Sequence, residues 1–385
     1  MKINIIGAGI SGLALGYFCK KKGHDVHIFE ASNKAGGLIA TEFVSEGIIQ
    51  HGPHLTRLTN TLEVLLQELG IETIYSLTNK RYIASVCDGF SLGFPLTLSD
   101  ILKSILLQFK KRKQSYTSVA DFTNHHYGIA FTNNLLQPII NGIYAVPAEE
   151  LNEEIALKNI YFKEKRAVYF TLKVLLQKLN SKSREIVTPK DGFQDLIEEL
   201  AYTLNTNITY NTKIDDISNL NGVNYITVPA FDAKNINGIL PDTHQILKDI
   251  HYSNLDVTTV FSSTPFKKEG IGILTNSQNG ILGVLFNSST FGFRTTSRLH
   301  SYSIFSKNFT EEEVKNFCKN TLKVEVTKSY FKSYSKAVPI YNNTVKDFIE
   351  HNDSLKTNYK FFSNYTGDIS IGAIIEKAKG IAEKL

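Results

Sequence analysis

The run Lys2-Ile3-Asn4-Ile5-Ile6 leads straight into Gly7-Ala8-Gly9-Ile10-Ser11-Gly12, and few chains can begin this way. The apolar run reads as a short buried strand, and Leu13 to Lys20 reads as a helix. Gly23-His24-Asp25 then turns the chain into a second strand, Val26 to Phe29, which ends at Glu30. A G-x-G-x-x-G spacing becomes informative in this strand–turn–helix–strand setting. Gly7 permits the tight turn, Gly9 lets the backbone come close to a diphosphate, and Gly12 lets the helix lie on the strand. The free N–H groups at the helix start, around Ile10 and Ser11, attract an anion with the help of the helix dipole. Glu30, followed by Ala31, is placed to accept hydrogen bonds from a ribose and disfavours a 2′-phosphate. Gly36-Gly37 supplies a second place where backbone can approach the diphosphate. That second approach points to FAD rather than NAD.

The chain is long enough, at 385 residues, to enclose such a cofactor between two intertwined domains. Its net charge of +5 is too mild and too dispersed for a nucleic-acid partner. Cys19, Cys87 and Cys318 are far apart, so neither a disulfide framework nor a zinc site is indicated and a reducing cytoplasm fits. The adjacent His125 and His126 do not share a helix face, and no metal site is expected. No apolar run approaches the length of a membrane span. Leu98, Ile101, Leu102, Ile105, Leu106 and Phe109 recur at helical spacing, and Lys110-Lys111-Arg112-Lys113 follows. Such a helix either packs on its own domain or lies on an anionic membrane surface, which leaves a cytoplasmic chain or one peripheral on the inner face.

Gly7 to Thr41 resembles the opening of the FAD-dependent amine oxidase superfamily, although Leu38 stands where a basic residue is common. Further on, Leu135 to Ala145 with Glu149-Glu150-Leu151 is similar to a stretch of the protoporphyrinogen oxidases. Pro189–Leu196, Tyr225–Ala230, Gly270–Leu274, Gly280–Ser289, Ala337–Tyr341 and Phe361–Gly372 follow in that family's order. Two departures stand out: the chain between Thr212 and Tyr225 is short, and Ser363 replaces a glycine before Asn364.

The resemblance implies an α/β fold in which a Rossmann-type FAD-binding domain is interrupted by an α+β substrate domain with an antiparallel sheet and a helical insert. The FAD-binding part would comprise 1–74, about 191–239 and 346–385, and the substrate domain about 75–190 and 240–345. It adds Gly52, Pro53, Ile214, Asn364, Ser370 and Ile371 to the residues around a non-covalent FAD. On the substrate side it places His54, Asn141 and Gly142 in the cavity wall, and Arg81 as the partner of a substrate carboxylate. For His54 an ordinary hydrogen-bonding role, and for Arg81 an exposed unpaired one, are the alternatives. The implied chemistry is dehydrogenation of a porphyrinogen, as in haem biosynthesis, by hydride transfer to the flavin, with oxygen or another acceptor closing the cycle. No protein acid or base is assigned, so the catalytic residue is unknown. The shortened chain keeps two other readings open: another bulky substrate (an amine, a polyene, or the sugar nucleotide of UDP-galactopyranose mutases, whose Gly-Pro-His spacing is similar), or a flavin-binding protein without turnover.

Overall fold

A computed structural model describes residues 1–85, 91–92, 94–158, 166–169, 171, 185–276, 280–292, 294–296 and 298–385. Cys87, one of the three cysteines, lies outside these residues.

Two sheets organise the molecule. The first is fully parallel and has the spatial order Ile208–Thr209, Asp25–Phe29, Lys2–Ile6, Val223–Ile226, Tyr359–Phe361. Parallel strands need covering on both faces, which is why Ile3, Ile5, Val26 and Ile28 are wholly buried. The helix Ile10–Lys21 crosses between the first two strands and packs against the last helix, Ile371–Ala382. It begins at Ile10, three residues before the apolar pattern at Leu13 becomes legible. The difference is physical: the first turn is made of the glycine motif itself, and glycine carries no helical signal.

The second sheet has seven strands, in the order Val326–Pro339, Tyr252–Ser262, His300–Ser306, Ile281–Phe286, Gly272–Thr275, Arg81–Ser85, Ser91–Leu92. All neighbours are antiparallel except Gly272–Thr275 with Arg81–Ser85, which run parallel. A small sheet, Thr56–Arg57, Ile186–Pro189 and Thr73–Tyr75, joins the segments between the two large ones. The hairpin Thr41–Val44/Gly47–Gln50 makes an isolated antiparallel bridge from Gly47 to Thr295, in the segment between the strands Ile281–Phe286 and His300–Ser306. The observed architecture is the mixed α/β fold with a parallel Rossmann-type sheet that the glycine motif requires.

The helix Leu98–Leu107 starts cleanly, with a capping box between Thr97 and Asp100. Its orientation reverses the usual arrangement. Ser104 is its one buried residue, while Leu98 and Leu106 are 74% and 71% exposed.

Candidate dinucleotide and substrate site

The glycine turn is built by contacts from three strands. Gly7 adopts φ +108°, donates its N–H to the Phe29 carbonyl at 2.8 Å, and its own carbonyl accepts from Thr227 Oγ1 at 2.9 Å. Thr227 Oγ1 stands 2.8 Å from the Ile6 carbonyl as well, so the end of the Val223–Ile226 strand pins the turn. A Cβ on Gly12 would lie 2.0 Å from the Gly7 carbonyl oxygen, so no side chain fits there. Gly9 is different. A Cβ there would meet nothing within 4 Å, and its φ of −75° suits any residue. It caps the helix without a side-chain hydrogen bond. The N–H groups of the first turn at Ile10 and Ser11 therefore have no side-chain acceptor.

Gly36 and Gly37 come alongside this open position. Gly36 donates its N–H to the Ala8 carbonyl at 3.0 Å and forms an isolated parallel bridge with Gly9. Glu30 closes the other end. Its Oε2 accepts the Ala8 N–H at 2.7 Å, and its Oε1 accepts the Ser32 N–H and hydroxyl at 2.9 and 2.7 Å. Ala31 continues from it, and Ile214 lies half-buried against the buried apolar cluster that includes Ile6, Ile226 and Tyr365, two positions beyond Thr212, whose N–H donates to the Glu30 carbonyl.

At the far end of the parallel sheet, Ser370 caps the last helix by accepting the Ala373 N–H, and Ile371 is buried at its first position. The Asn364 carbonyl accepts from the Tyr341 hydroxyl, while Asn364 Oδ1 is buried with no partner among the described residues. A buried amide oxygen without a donor is costly, by about 1–3 kcal/mol. FAD fits this donor and acceptor set. The open position at Gly9 admits a diphosphate, Glu30 presents carboxylate oxygens where a ribose belongs, and Asn364 has an acceptor to satisfy.

Gly52 and Pro53 form the next bend. The space that a Cβ on Gly52 would fill holds the Leu38 carbonyl oxygen at 2.8 Å, so glycine here serves contact with the Leu38 backbone. His54, 8% exposed, is fully engaged: Nδ1 donates to the Gly52 carbonyl at 3.0 Å and Nε2 accepts from Ser303 Oγ at 2.9 Å. A carbonyl can only accept, which fixes the proton on Nδ1. Its ring meets Phe305 edge-on, with centroids 5.3 Å apart. Burial first, and then the charge of Arg294, push its pKa down to about 3. At neutral pH it is uncharged and holds no open lone pair for a reacting proton.

Arg294 carries no motif, and only the fold reveals its place. It is 3% exposed, donates from Nη2 to Thr188 Oγ1 at 2.6 Å and lies over the Phe291 ring. With its amide turned to suit its neighbours, Gln50 accepts from both Arg294 terminal nitrogens at 2.5 and 2.7 Å and donates to the Pro53 carbonyl at 2.7 Å. Burial holds the guanidinium down at about 10, against the opposing pull of Asp191. The signal available in the sequence was Gly47, where a Cβ would stand 2.3 Å from the Arg294 carbonyl, but that contact spans almost 250 positions.

Asn141 and Gly142 both fasten the helix Gln137–Tyr144 to the strand Gly272–Thr275. Asn141 Nδ2 donates to the Thr275 carbonyl at 2.8 Å and its Oδ1 accepts from Gln137 at 2.6 Å. A Cβ on Gly142 would stand 2.7 Å from Leu274 Cδ2. Arg81 begins the neighbouring strand, opposite Gly272, and its side chain is exposed. The structure thus brings Asn141, Gly142 and Arg81 to one strand and places His54 two strands beyond, on Ser303. Among the described residues no cluster of three or more His, Cys, Asp or Glu could hold a metal.

Known proteins are similar to this chain in sequence and in fold. Residues 5–69 match the NAD(P)-binding Rossmann-like domain family. The chain is 24% identical to the mitochondrial protoporphyrinogen oxidase of Nicotiana tabacum, over 99% of this chain and 94% of that protein. It is 29% identical to the coproporphyrinogen III oxidase of Staphylococcus aureus, over 56% of this chain and 54% of the other. A redesigned putrescine oxidase superposes with a TM-score of 0.74 at 15% identity, covering 100% of this chain and 98% of that one. The chain is accordingly similar over nearly its whole length to a protoporphyrinogen oxidase, opens with a match to the NAD(P)-binding Rossmann-like domain family, and shares the fold of a putrescine oxidase.

Proposed function

We propose that this FAD-dependent oxidase dehydrogenates a porphyrinogen, a bulky apolar ring system bearing carboxylates. The observation that carries the substrate is Arg81, an exposed guanidinium whose side chain has no hydrogen bond or ion pair among the described residues, on the strand beside Gly272. FAD, when bound, supplies the two-electron acceptor, and oxygen or another acceptor restores it. The chain's own work is positional. The segments 1–74, about 191–239 and 346–385 hold the cofactor, with Gly9, Ile10, Ser11 and Gly37 facing the diphosphate and Glu30 the ribose. Arg81 takes a carboxylate through both oxygens and so orients the ring system. His54, already engaged at both nitrogens, stiffens the wall rather than moving a proton.

Anaerobic addition of protoporphyrinogen or coproporphyrinogen should bleach the flavin absorbance as porphyrin fluorescence appears. Arg81→Ala should raise KM by about tenfold, since one charged hydrogen-bonding contact is worth roughly 1.4 kcal/mol or more. A flavin that stays oxidised with both compounds but is reduced by an amine would overturn the substrate and keep the fold.

We place the protein on a membrane surface through the helix Leu98–Leu107. Its outward apolar face, with Leu102, Ile105 and Phe109 also exposed, adjoins Lys110, Lys111, Arg112 and Lys113. No helix among the described residues is long and apolar enough to cross a bilayer. An apolar face with a basic end suits shallow insertion among anionic headgroups. The protein should float with vesicles containing anionic lipid, and Leu102→Glu with Leu106→Glu should leave it behind. Equal recovery of both proteins with the vesicles would remove this surface from the account.

A further inference from the structure

The segment 50–57 runs from one cofactor-binding element to another. Near its start the His51 N–H donates to the Ala40 carbonyl at 2.9 Å, and Gly52 lies against the backbone of Leu38, which follows the Gly36–Gly37 pair. Near its end Thr56 Oγ1 accepts the Gly372 N–H at 3.3 Å, in the first turn of the last helix. Glu30 follows the strand on one side of Lys2–Ile6, whereas Tyr359–Phe361, which leads into that helix, lies on the other side. A dinucleotide laid across these strand ends, with its ribose at Glu30 and its diphosphate at Gly9, has its flavin on the side of the last helix. Segment 50–57 therefore borders the flavin half of the site.

Arg294 grips this segment from a distant part of the chain. Its backbone carbonyl accepts the Ile48 N–H at 3.1 Å, next to the bridge between Gly47 and Thr295. Its side chain turns inward, with both terminal nitrogens on Gln50 and Nη2 on Thr188 Oγ1. Both contacts lead to the segment. Gln50 is its first residue and donates to the Pro53 carbonyl, and Thr188 follows Val187, which pairs with Thr56. The amide and the hydroxyl are neutral, so they orient the cation without cancelling its charge. Although burial lowers its pKa to about 10, the guanidinium is charged at neutral pH, and Asp191, whose charge opposes that shift, is exposed and screened by water. A cation buried in a low dielectric acts on its surroundings far more strongly than one in water.

We propose that Arg294 sets the reduction potential of the flavin: its buried charge, held beside segment 50–57, stabilises the reduced cofactor. Two electrons and one proton taken up by the flavin ring leave it with one negative charge. A fixed cation nearby favours that form over the neutral oxidised one. The inference rests on FAD as the cofactor and not on the porphyrinogen, so it holds whichever compound delivers the electrons.

The test is a potentiometric titration of the FAD-loaded protein with dithionite against a reference dye, which needs no substrate. Arg294→Gln keeps a hydrogen-bonding side chain and removes the charge. It should lower the ratio of reduced to oxidised flavin at a given potential about tenfold, a shift of about 30 mV to more negative values. Arg294→Lys keeps the charge and should restore most of that ratio. Thr188→Asp leaves Arg294 in place and sets a carboxylate against Nη2, so it should lower the potential in the same direction. A role confined to bracing Gln50 and Thr188 predicts no shift in Thr188→Asp, because a charged pair holds at least as firmly as a neutral contact. Thermal melts record any loss of stability separately from the potential. An unchanged potential in Arg294→Gln, or in Thr188→Asp should Arg294→Gln fail to load FAD, overturns the proposal and leaves the cofactor in place. A wild-type protein that takes up no FAD overturns both.

Discussion

Replacing Gly9 by valine is expected to leave the fold intact and to reduce FAD affinity about a hundredfold, or roughly 2.8 kcal/mol. The position is open: a Cβ there meets no atom within 4 Å, and the backbone φ of −75° is one that valine adopts freely. Stability should fall by only about 1 kcal/mol, the cost of valine in place of glycine at a helix N-cap. The new methyl groups would stand in the space beside Gly36 and Gly37, where a diphosphate must come within hydrogen-bonding reach of the helix-start N–H groups. Gly12→Ala is the control with the opposite signature. Its Cβ would lie 2.0 Å from the Gly7 carbonyl oxygen and 2.8 Å from Thr227 Oγ1, so the strand, turn and helix would have to separate. That overlap should lower stability by about 3 kcal/mol or more. Thermal melts without added flavin, paired with fluorescence titration by FAD, distinguish the two. A Gly9→Val protein that still binds FAD at wild-type affinity would place the diphosphate elsewhere.

Acid should weaken the protein well above the range where its carboxylates titrate. His54 has its pKa pushed down to about 3, and His126, wholly buried, to about 4, burial being the first cause for both. Unfolded histidine titrates near 6.5. In both cases the folded pKa is the lower one, so the unfolded chain binds protons that the folded chain refuses. The contribution of each is complete above about pH 6.5 and is lost as pH falls toward the folded value. The slope is at most about 1.4 kcal/mol per pH unit for each histidine, so His54 alone should cost about 2 kcal/mol at pH 5. Urea unfolding of the wild type and of His54→Gln at pH 8, 6.5 and 5 isolates this contribution. Glutamine cannot reproduce both hydrogen bonds, so the variant should begin less stable at pH 8 and then decline less steeply. Parallel decline of the two proteins would show that His54 takes up its proton in the folded state.

These two predictions rest on different kinds of information. Gly7, Gly9, Gly12 and Glu30 were readable because the turn, the helix start and the strand end lie within about thirty positions. The reading of Ile10 and Ser11 at the anion-attracting first turn followed from the same short stretch. His54 was named as part of a cavity wall, yet only one of its two partners, the Gly52 carbonyl, is local, and the other is Ser303, 249 positions away. Asn141 was named for the same wall, and its amide turns out to be spent on Gln137 and Thr275. The apolar stripe from Leu98 to Phe109 was plain in the spacing, but spacing does not say whether anything covers it. In the fold Ser104 turns inward and the leucines face out.

The sequence by itself determined the dinucleotide turn, because glycine at a crowded or left-handed position, a helix start and an acid at a strand end are local constraints. Only the tertiary structure decided which polar groups are buried and which charges become neighbours. Arg294 enters the Gln50–Thr188 contacts, and Thr227 reaches back to Gly7 through strand pairings between distant segments. Burial and proximity are set by those pairings. A residue's own type and its near neighbours carry no record of them.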